Sequence, residues 1–124
     1  MPTPEELRAV MQSYIKLMCD SDIDGILDLY TDDATAEDPV GGQVQQGRET
    51  LRAFYAATAP KLQVEITGPI RVSGTECAMP MLAEFEMNDQ KFHIDVIDVM
   101  TFNDDGKITS MRAFWNPAEM RPTR

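Results

Sequence analysis

The sequence has only one histidine and two cysteines among its 124 residues. Metal centres usually gather several ligands, so His93 with Asp95 nearby makes a poor site, and no metal is expected. Cys19 and Cys77 lie far apart and do not indicate a disulfide scaffold. They are typical of free thiols in a reducing cytoplasm, where we expect the protein to act. There is also no second histidine for a catalytic triad.

Glycine-rich phosphate loops are missing as well. The seven glycines form neither the Walker pattern nor the dinucleotide fingerprint, and we expect no cofactor. No apolar run is long enough to predict a signal peptide or a transmembrane helix. Basic residues are few, with 11 Lys and Arg against 21 Asp and Glu and a net charge of −10. This balance disfavours nucleic acids and anionic membranes as partners.

The segment Lys91–Phe102 is the clearest structural signal in the chain, because it alternates with the period of a β-strand. Asp98 falls on the face whose other members are all apolar: Phe92, Ile94, Val96, Met100 and Phe102. A carboxylate is costly there unless it is paired or protonated. The pattern leaves two interpretations open, a structural buried acid and a functional neutral one.

Turn signals on both sides of this strand predict hairpins that surround Asp98 with apolar residues. A two-residue turn at Asn88-Asp89 would place Met79 opposite Asp98. A four-residue turn at 103–106 would place Met111 opposite Asp98 from the other side. The surface predicted around the acid consists of Met79, Met81, Ala83, Phe85, Phe92, Ile94, Val96, Met111, Ala113 and Trp115.

The first sixty residues predict three helices. One begins at Thr3 with a capping box, runs to about residue 20 and carries Tyr14 on its apolar face. A short second helix has Tyr30 on its apolar side, and a third runs from 47 to about 57. Asp38 falls in the turn Asp38–Gly42, where an aspartate is ordinarily a turn residue.

Helices followed by a run of strands predict an α+β fold, which we expect to form one domain over residues 1–124. A curved sheet wrapped by helices would enclose a conical cavity lined by the Asp98 face. The tail, residues 116–124, contains two prolines and is expected to be mobile. Carboxylates, tyrosines and an apolar pocket favour proton transfer on an apolar, uncharged substrate without a cofactor.

Several segments, in this order and spacing, resemble the bacterial Δ5-3-ketosteroid isomerases. They are the helix with Tyr14, Asp-Asp-Ala-Thr-Ala-Glu-Asp-Pro-Val-Gly at 32–41, Ile-Asp-Val-Met-Thr-Phe at 97–102 and Met-Arg-Ala-Phe-Trp at 111–115. The resemblance covers nearly the whole chain. It implies the cone of nuclear transport factor 2 (NTF2), with three helices on a curved mixed sheet. It also implies a steroid substrate and a homodimer formed across the sheets.

The resemblance also implies a role for each matching residue. Asp38 would be the general base, and Tyr14 with protonated Asp98 would form the oxyanion hole. Tyr30 and Tyr55 match the supporting tyrosine network of the family. The substrate-lining positions would be Phe54, Met79, Met81, Ala83, Met111 and Trp115.

The sequence departs from familiar members of that family at a few positions. Ala36 stands where a valine is common, Met81 replaces a phenylalanine of one member, and the segment 40–46 differs. These changes bear on steroid preference more than on mechanism. Two alternatives stay open: another enzyme on the same fold, such as a dehydratase, epoxide hydrolase or polyketide cyclase, and a non-catalytic binding module.

Overall fold

The computed structural model describes residues 1–123. Its helices are α1 (Pro4–Cys19), α2 (Ile23–Leu27) and α3 (Arg48–Thr58). Its strands are β1 (Tyr30–Glu37), β2 (Val44–Gln46), β3 (Leu62–Ile66), β4 (Arg71–Ser73), β5 (Glu76–Met87), β6 (Gln90–Phe102), β7 (Ile108–Phe114) and β8 (Arg121–Pro122). Within residues 1–123, no helix is long and apolar enough to cross a membrane.

Helix α1 begins as the sequence predicts. The Thr3 hydroxyl accepts a hydrogen bond from the Glu6 backbone N–H at 3.1 Å, and the Glu6 carboxylate accepts one from the Thr3 N–H at 3.2 Å. This capping box satisfies two of the donors that a helix N-terminus leaves unpaired. The face buried against the core consists of Leu7, Met11, Tyr14, Ile15 and Met18.

The second helix is shorter than the sequence indicates, and the placement of Tyr30 on it is wrong. Tyr30 is the first residue of β1, where it pairs with Ile108 of β7. The Leu29 carbonyl accepts a hydrogen bond from the Ile108 N–H at 2.8 Å. Pairing with a strand that is distant in sequence overrides the local helical spacing of Tyr30. Such long-range pairing cannot be predicted from local propensity.

The sheet is mixed, curved and not closed into a barrel, with strand order β2-β1-β7-β6-β5-β3. Strand β4 also pairs with β5, and β8 with β6. The pair β1–β7 is parallel and the other pairs are antiparallel. Buried residues of the helices and the sheet form one apolar core between them. The predicted α+β cone of three helices on a curved sheet is confirmed.

The register predicted between β5 and β6 is confirmed. Met79 pairs with Asp98, and Met87 pairs with Gln90 at the hairpin end. Asn88 and Asp89 form the turn with φ values of 54° and 63°. A two-residue hairpin needs such left-handed conformations at both positions, and asparagine and aspartate tolerate them better than most residues.

The register predicted between β6 and β7 is wrong by two residues. Asp98 pairs with Ala113, and Met111 pairs instead with Met100. One residue of the shift comes from the turn, since Phe102 pairs with Ile108 rather than with Lys107, and the other comes from an irregularity between Thr101 and Phe102. Because a shift of two residues preserves the alternation of a strand, Met111 and Ala113 keep their predicted face of the sheet.

The prediction of a mobile C-terminal tail is also wrong for the described residues. Residues Pro117–Glu119 form a 3-10 turn, and Pro122 of β8 pairs with Phe92 of β6. The His93 Nδ1 lies 3.1 Å from the Thr123 hydroxyl, and the Arg121 Nε donates to His93 Nε2 at 3.1 Å. The prediction for residue 124 lies outside the described residues.

Candidate active site

A cavity of about 370 Å³ opens between the helices and the sheet. Its size falls in the range of pockets that bind small molecules, roughly 300–1,000 Å³. The wall is largely apolar and includes Ile15, Met18, Leu62, Val64, Met81, Ala83, Phe85, Ile94, Val96 and Ala113. Five of its side chains can exchange a proton: Tyr14, Asp38, Lys61, Glu86 and Asp98.

Asp98 lies on this wall with only 2% of its surface exposed. Its strand neighbours, Met79 and Ala113, are both apolar. Burial raises the pKa of Asp98 well above its ordinary value of 3.8, and the nearby charge of Asp38 raises it further. A raised pKa favours the neutral carboxylic acid, which is the form that can donate a hydrogen bond to a ligand.

Tyr14 reaches the same cavity from α1 and is linked to two further tyrosines. Its hydroxyl lies 2.9 Å from that of Tyr55, which lies 2.5 Å from that of Tyr30. Burial raises the pKa of Tyr14 well above 10.0, and the hydrogen bond from Tyr55 opposes that rise. If Tyr30 donates to Tyr55 and Tyr55 to Tyr14, the Tyr14 proton remains available to a ligand.

Asp38 follows the last residue of β1 and is only partly buried. The Trp115 indole Nε1–H donates a hydrogen bond to Asp38 Oδ1. Burial raises the pKa of Asp38, whereas this hydrogen bond lowers it. Asp98 lacks such a donor, so of the two acids Asp38 is the easier to ionise.

Only part of the lining set that the resemblance implies surrounds the cavity. Met81, Ala83 and Trp115 line it. Met79 and Met111 do not: they are buried in the core, with 0% and 1% of their surfaces exposed. The prediction also fails for Phe54, which packs edge-on against Tyr55 with ring centroids 4.9 Å apart. A strand face that carries the site thus continues into the core beyond the cavity.

Other wall residues were missed by sequence reasoning. Ile15 and Met18 of α1 flank Tyr14, and their helical spacing from it was a usable signal. Thr58 and Lys61 reach the cavity from the end of α3 and the turn after it, where no pattern predicts direction. Glu86 lines it from the far end of β5.

Metal ligands are not gathered at this site or elsewhere in the part of the chain that the structure describes. No group of three or more His, Cys, Asp or Glu side chains there could hold an ion. Cys19 and Cys77 are free thiols.

A conical α+β domain with an apolar cavity and acids in its wall is the arrangement of the NTF2-like proteins. The chain belongs to this superfamily, and within it to the SnoaL-like domain family, which residues 11–111 match.

Two curated relatives and one solved structure are similar over nearly the whole chain. A steroid Δ-isomerase of Nocardioides simplex is 39% identical, over 93% of this chain and 94% of that protein. Epoxide hydrolase LasB of Streptomyces lasalocidi is 27% identical over 96% of this chain, which spans about half, 51%, of that protein. The epoxide hydrolase/cyclase-like enzyme SalBIII, reported in pyran ring formation in polyether salinomycin, superposes with a TM-score of 0.92. It is 28% identical, over 99% of this chain and 100% of that chain.

Proposed function

We propose that this protein is a steroid Δ-isomerase that converts 3-oxo-Δ5-steroids into 3-oxo-Δ4-steroids. The observation that carries the proposal is the meeting of two different acids on a single apolar cavity: Asp38, which accepts a hydrogen bond from Trp115, and Asp98, whose pKa burial raises well above its ordinary value. Proton transfer needs a base and an acid at the same pH, and their environments separate their pKa values in that sense. The 39% identical steroid Δ-isomerase supports the same substrate class.

In the proposed reaction the ketone oxygen accepts hydrogen bonds from Tyr14 and from protonated Asp98. Removing the C4 proton moves negative charge onto that oxygen and forms a dienolate. Two fixed donors in an apolar cavity stabilise the charge more than water would. Tyr55 and Tyr30 orient the Tyr14 hydroxyl through their hydrogen bonds.

Asp38 is the proposed base for both proton transfers. Its carboxylate takes the proton from C4 and returns it to C6, so the double bond moves into conjugation with the ketone. One base can serve both carbons when the apolar walls hold the flat steroid in one plane. The Trp115 indole fixes one carboxylate oxygen and leaves the other for the proton.

Ultraviolet absorbance with a Δ5-3-ketosteroid, without added cofactor or metal, tests the proposal. We expect the absorbance of the conjugated enone to grow, and Asp38→Asn to lower kcat by about 10²–10⁴ while steroid binding persists. Asp32→Asn is a matched control, because Asp32 lies exposed on β1. A purified protein that binds the steroid without forming the enone would contradict the proposal, as would full activity of Asp38→Asn.

Epoxide opening is a second candidate function, favoured by the TM-score of 0.92 with SalBIII and by the similarity to LasB. Asp38 could activate a hydroxyl or water while the neutral Asp98 protonates the epoxide oxygen. The lining residues that the structure describes include neither histidine nor arginine, and Lys61 and Glu86 line the cavity beside these two acids. Turnover of an apolar epoxide, with no enone formed from the steroid, would select this function instead.

A homodimer is the proposed assembly, formed through the outer face of the sheet. Ile97 and Phe114 pair across β6 and β7, yet 47% and 41% of their surfaces are exposed. Neighbouring exposed apolar residues of this kind are typical of a protein interface. Sedimentation should give twice the chain mass, and Ile97→Lys should give monomers. A wild-type monomer at micromolar concentration would contradict this assembly.

The cytoplasm is the proposed compartment of the protein, and its free cysteines are consistent with that reducing environment.

A further inference from the structure

The turn that carries Asp38 is held from the outer side of the sheet by its sequence neighbour, Glu37. Glu37 is the last residue of β1, and successive side chains along a strand point to opposite faces. Asp38 therefore faces the cavity while Glu37 faces away from it. Glu37 pairs with Arg112 in the parallel register of β1 and β7.

Both oxygens of the Glu37 carboxylate are engaged. Oε1 accepts a hydrogen bond from Arg112 Nε at 3.1 Å, and Oε2 accepts one from the Gly41 backbone N–H at 3.0 Å. The hydrogen bond from Gly41, followed by that from Arg112, lowers the pKa of Glu37. The carboxylate is thus charged at neutral pH and ties the turn to β7.

The turn has few other attachments to the sheet. The Val40 N–H donates to the Ala113 carbonyl at 2.8 Å. Gly41 has a φ of 96°, in the left-handed region that favours glycine, and its N–H points to Glu37. Without the Glu37 carboxylate this N–H would lose its protein partner, and the turn would keep only the backbone bond at Val40 and the bond from the Trp115 indole to Asp38.

We infer that Glu37 is a positioning residue, a two-point clamp between β7 and the turn that holds Asp38 at the right distance from the substrate. This inference rests on the proposed isomerase function. A base must lie within hydrogen-bonding reach of the proton it takes. Displacing a reacting group by 1 Å can cost about 10²-fold in rate. Glu37 is not part of the cavity wall, so the effect should fall on kcat rather than on KM.

Three variants of the clamp give a graded test. Glu37→Ala should lower kcat about tenfold and leave KM within about twofold. Glu37→Gln keeps an oxygen that can accept from the Gly41 N–H, so its kcat should lie between those of Glu37→Ala and the wild type. Arg112→Gln should lower kcat on its own, yet add little to Glu37→Ala, because both remove the same clamp.

Asp95→Ala is the matched control. Asp95 also faces outward and pairs with Arg121 at 3.1 Å, but this pair lies on β6 and β8, away from the turn. Its kcat should equal that of the wild type. Thermal unfolding checks that each variant is folded, and if Glu37→Ala is not, Glu37→Gln and Arg112→Gln carry the test.

The outcomes separate the two proposals. A wild-type protein without isomerase activity refutes the proposed function. An active wild type whose Glu37→Ala variant keeps its kcat overturns the clamp. The clamp is also overturned if Glu37→Ala raises KM and leaves kcat unchanged. It is overturned as well if kcat falls no further in Glu37→Ala than in Asp95→Ala.

Discussion

Replacing Asp98 by leucine should slow the proposed reaction and stabilise the protein at the same time. Only 2% of the surface of Asp98 is exposed, and its pKa is raised well above 3.8. On unfolding it meets water and ionises, which favours the unfolded state increasingly as the pH rises. Leucine has the same number of side-chain heavy atoms and no such ionisation.

The sign and size of the stability effect follow from proton linkage. Between 3.8 and the raised pKa of the folded state, the native protein holds one more proton than the unfolded chain. Its free energy of unfolding therefore falls by about 1.4 kcal/mol per pH unit relative to Asp98→Leu. The advantage of the variant should be small near pH 4, grow with that slope, and level off above the folded-state pKa. The contribution of Asp38 is common to both proteins to first order.

In the same variant, loss of one oxyanion donor should lower kcat by about 10²–10³.

Urea unfolding followed by the fluorescence of Trp115, repeated across this pH range, measures the difference. Asp95→Leu is the control, because Asp95 lies exposed on the other face of the same strand and its removal should not reproduce the slope. A stability difference that does not change with pH would show that Asp98 is not held neutral. An unchanged kcat would remove Asp98 from the proposed oxyanion hole.

Two further substitutions test the partners of the proposed catalytic groups. Tyr55→Phe removes the hydroxyl that joins Tyr14 to Tyr30. The free energy of unfolding should fall by about 1–3 kcal/mol, and kcat should fall as well. If both values stay unchanged, the tyrosine network contributes neither to stability nor to rate. Trp115→Phe removes the hydrogen bond that lowers the pKa of Asp38, so the acidic limb of the kcat profile should move to higher pH. A limb that stays in place or moves to lower pH would contradict this account.

The strand face around Asp98 was predictable because two local signals agree. The alternation of β6 fixes its buried face, and the turn at Asn88-Asp89 fixes the register with β5. The register with β7 was not predictable in the same way. It depends on an irregularity beside Thr101, which arises from backbone geometry and leaves no mark in the hydrophobic pattern.

The limits of the cavity could not be predicted from periodicity either. The face that carries Asp98 continues into the core at Met79 and Met111, because the helices cover one part of the sheet tightly and stand away from another. Which part stays open depends on how α1 and α3 approach the sheet. That approach is set by long-range packing, and it also brings Thr58 and Lys61 to the cavity.

The positions of the two acids explain how one small cavity could hold a base and a neutral acid without a metal. Asp98 lies in mid-strand, where its neighbours on both adjacent strands are apolar. Asp38 lies at a chain turn, where a strand no longer dictates burial and a side chain can meet a donor such as Trp115. A base on a turn must still be held at a fixed distance from the substrate, which calls for an anchor that does not occupy the cavity. Glu37 has the right geometry for that anchor, since strand alternation directs it to the opposite face. If the clamp variants lower kcat and leave KM unchanged, the base would depend on two separate partners. Trp115 would favour its ionised form, and Glu37 would hold it in place.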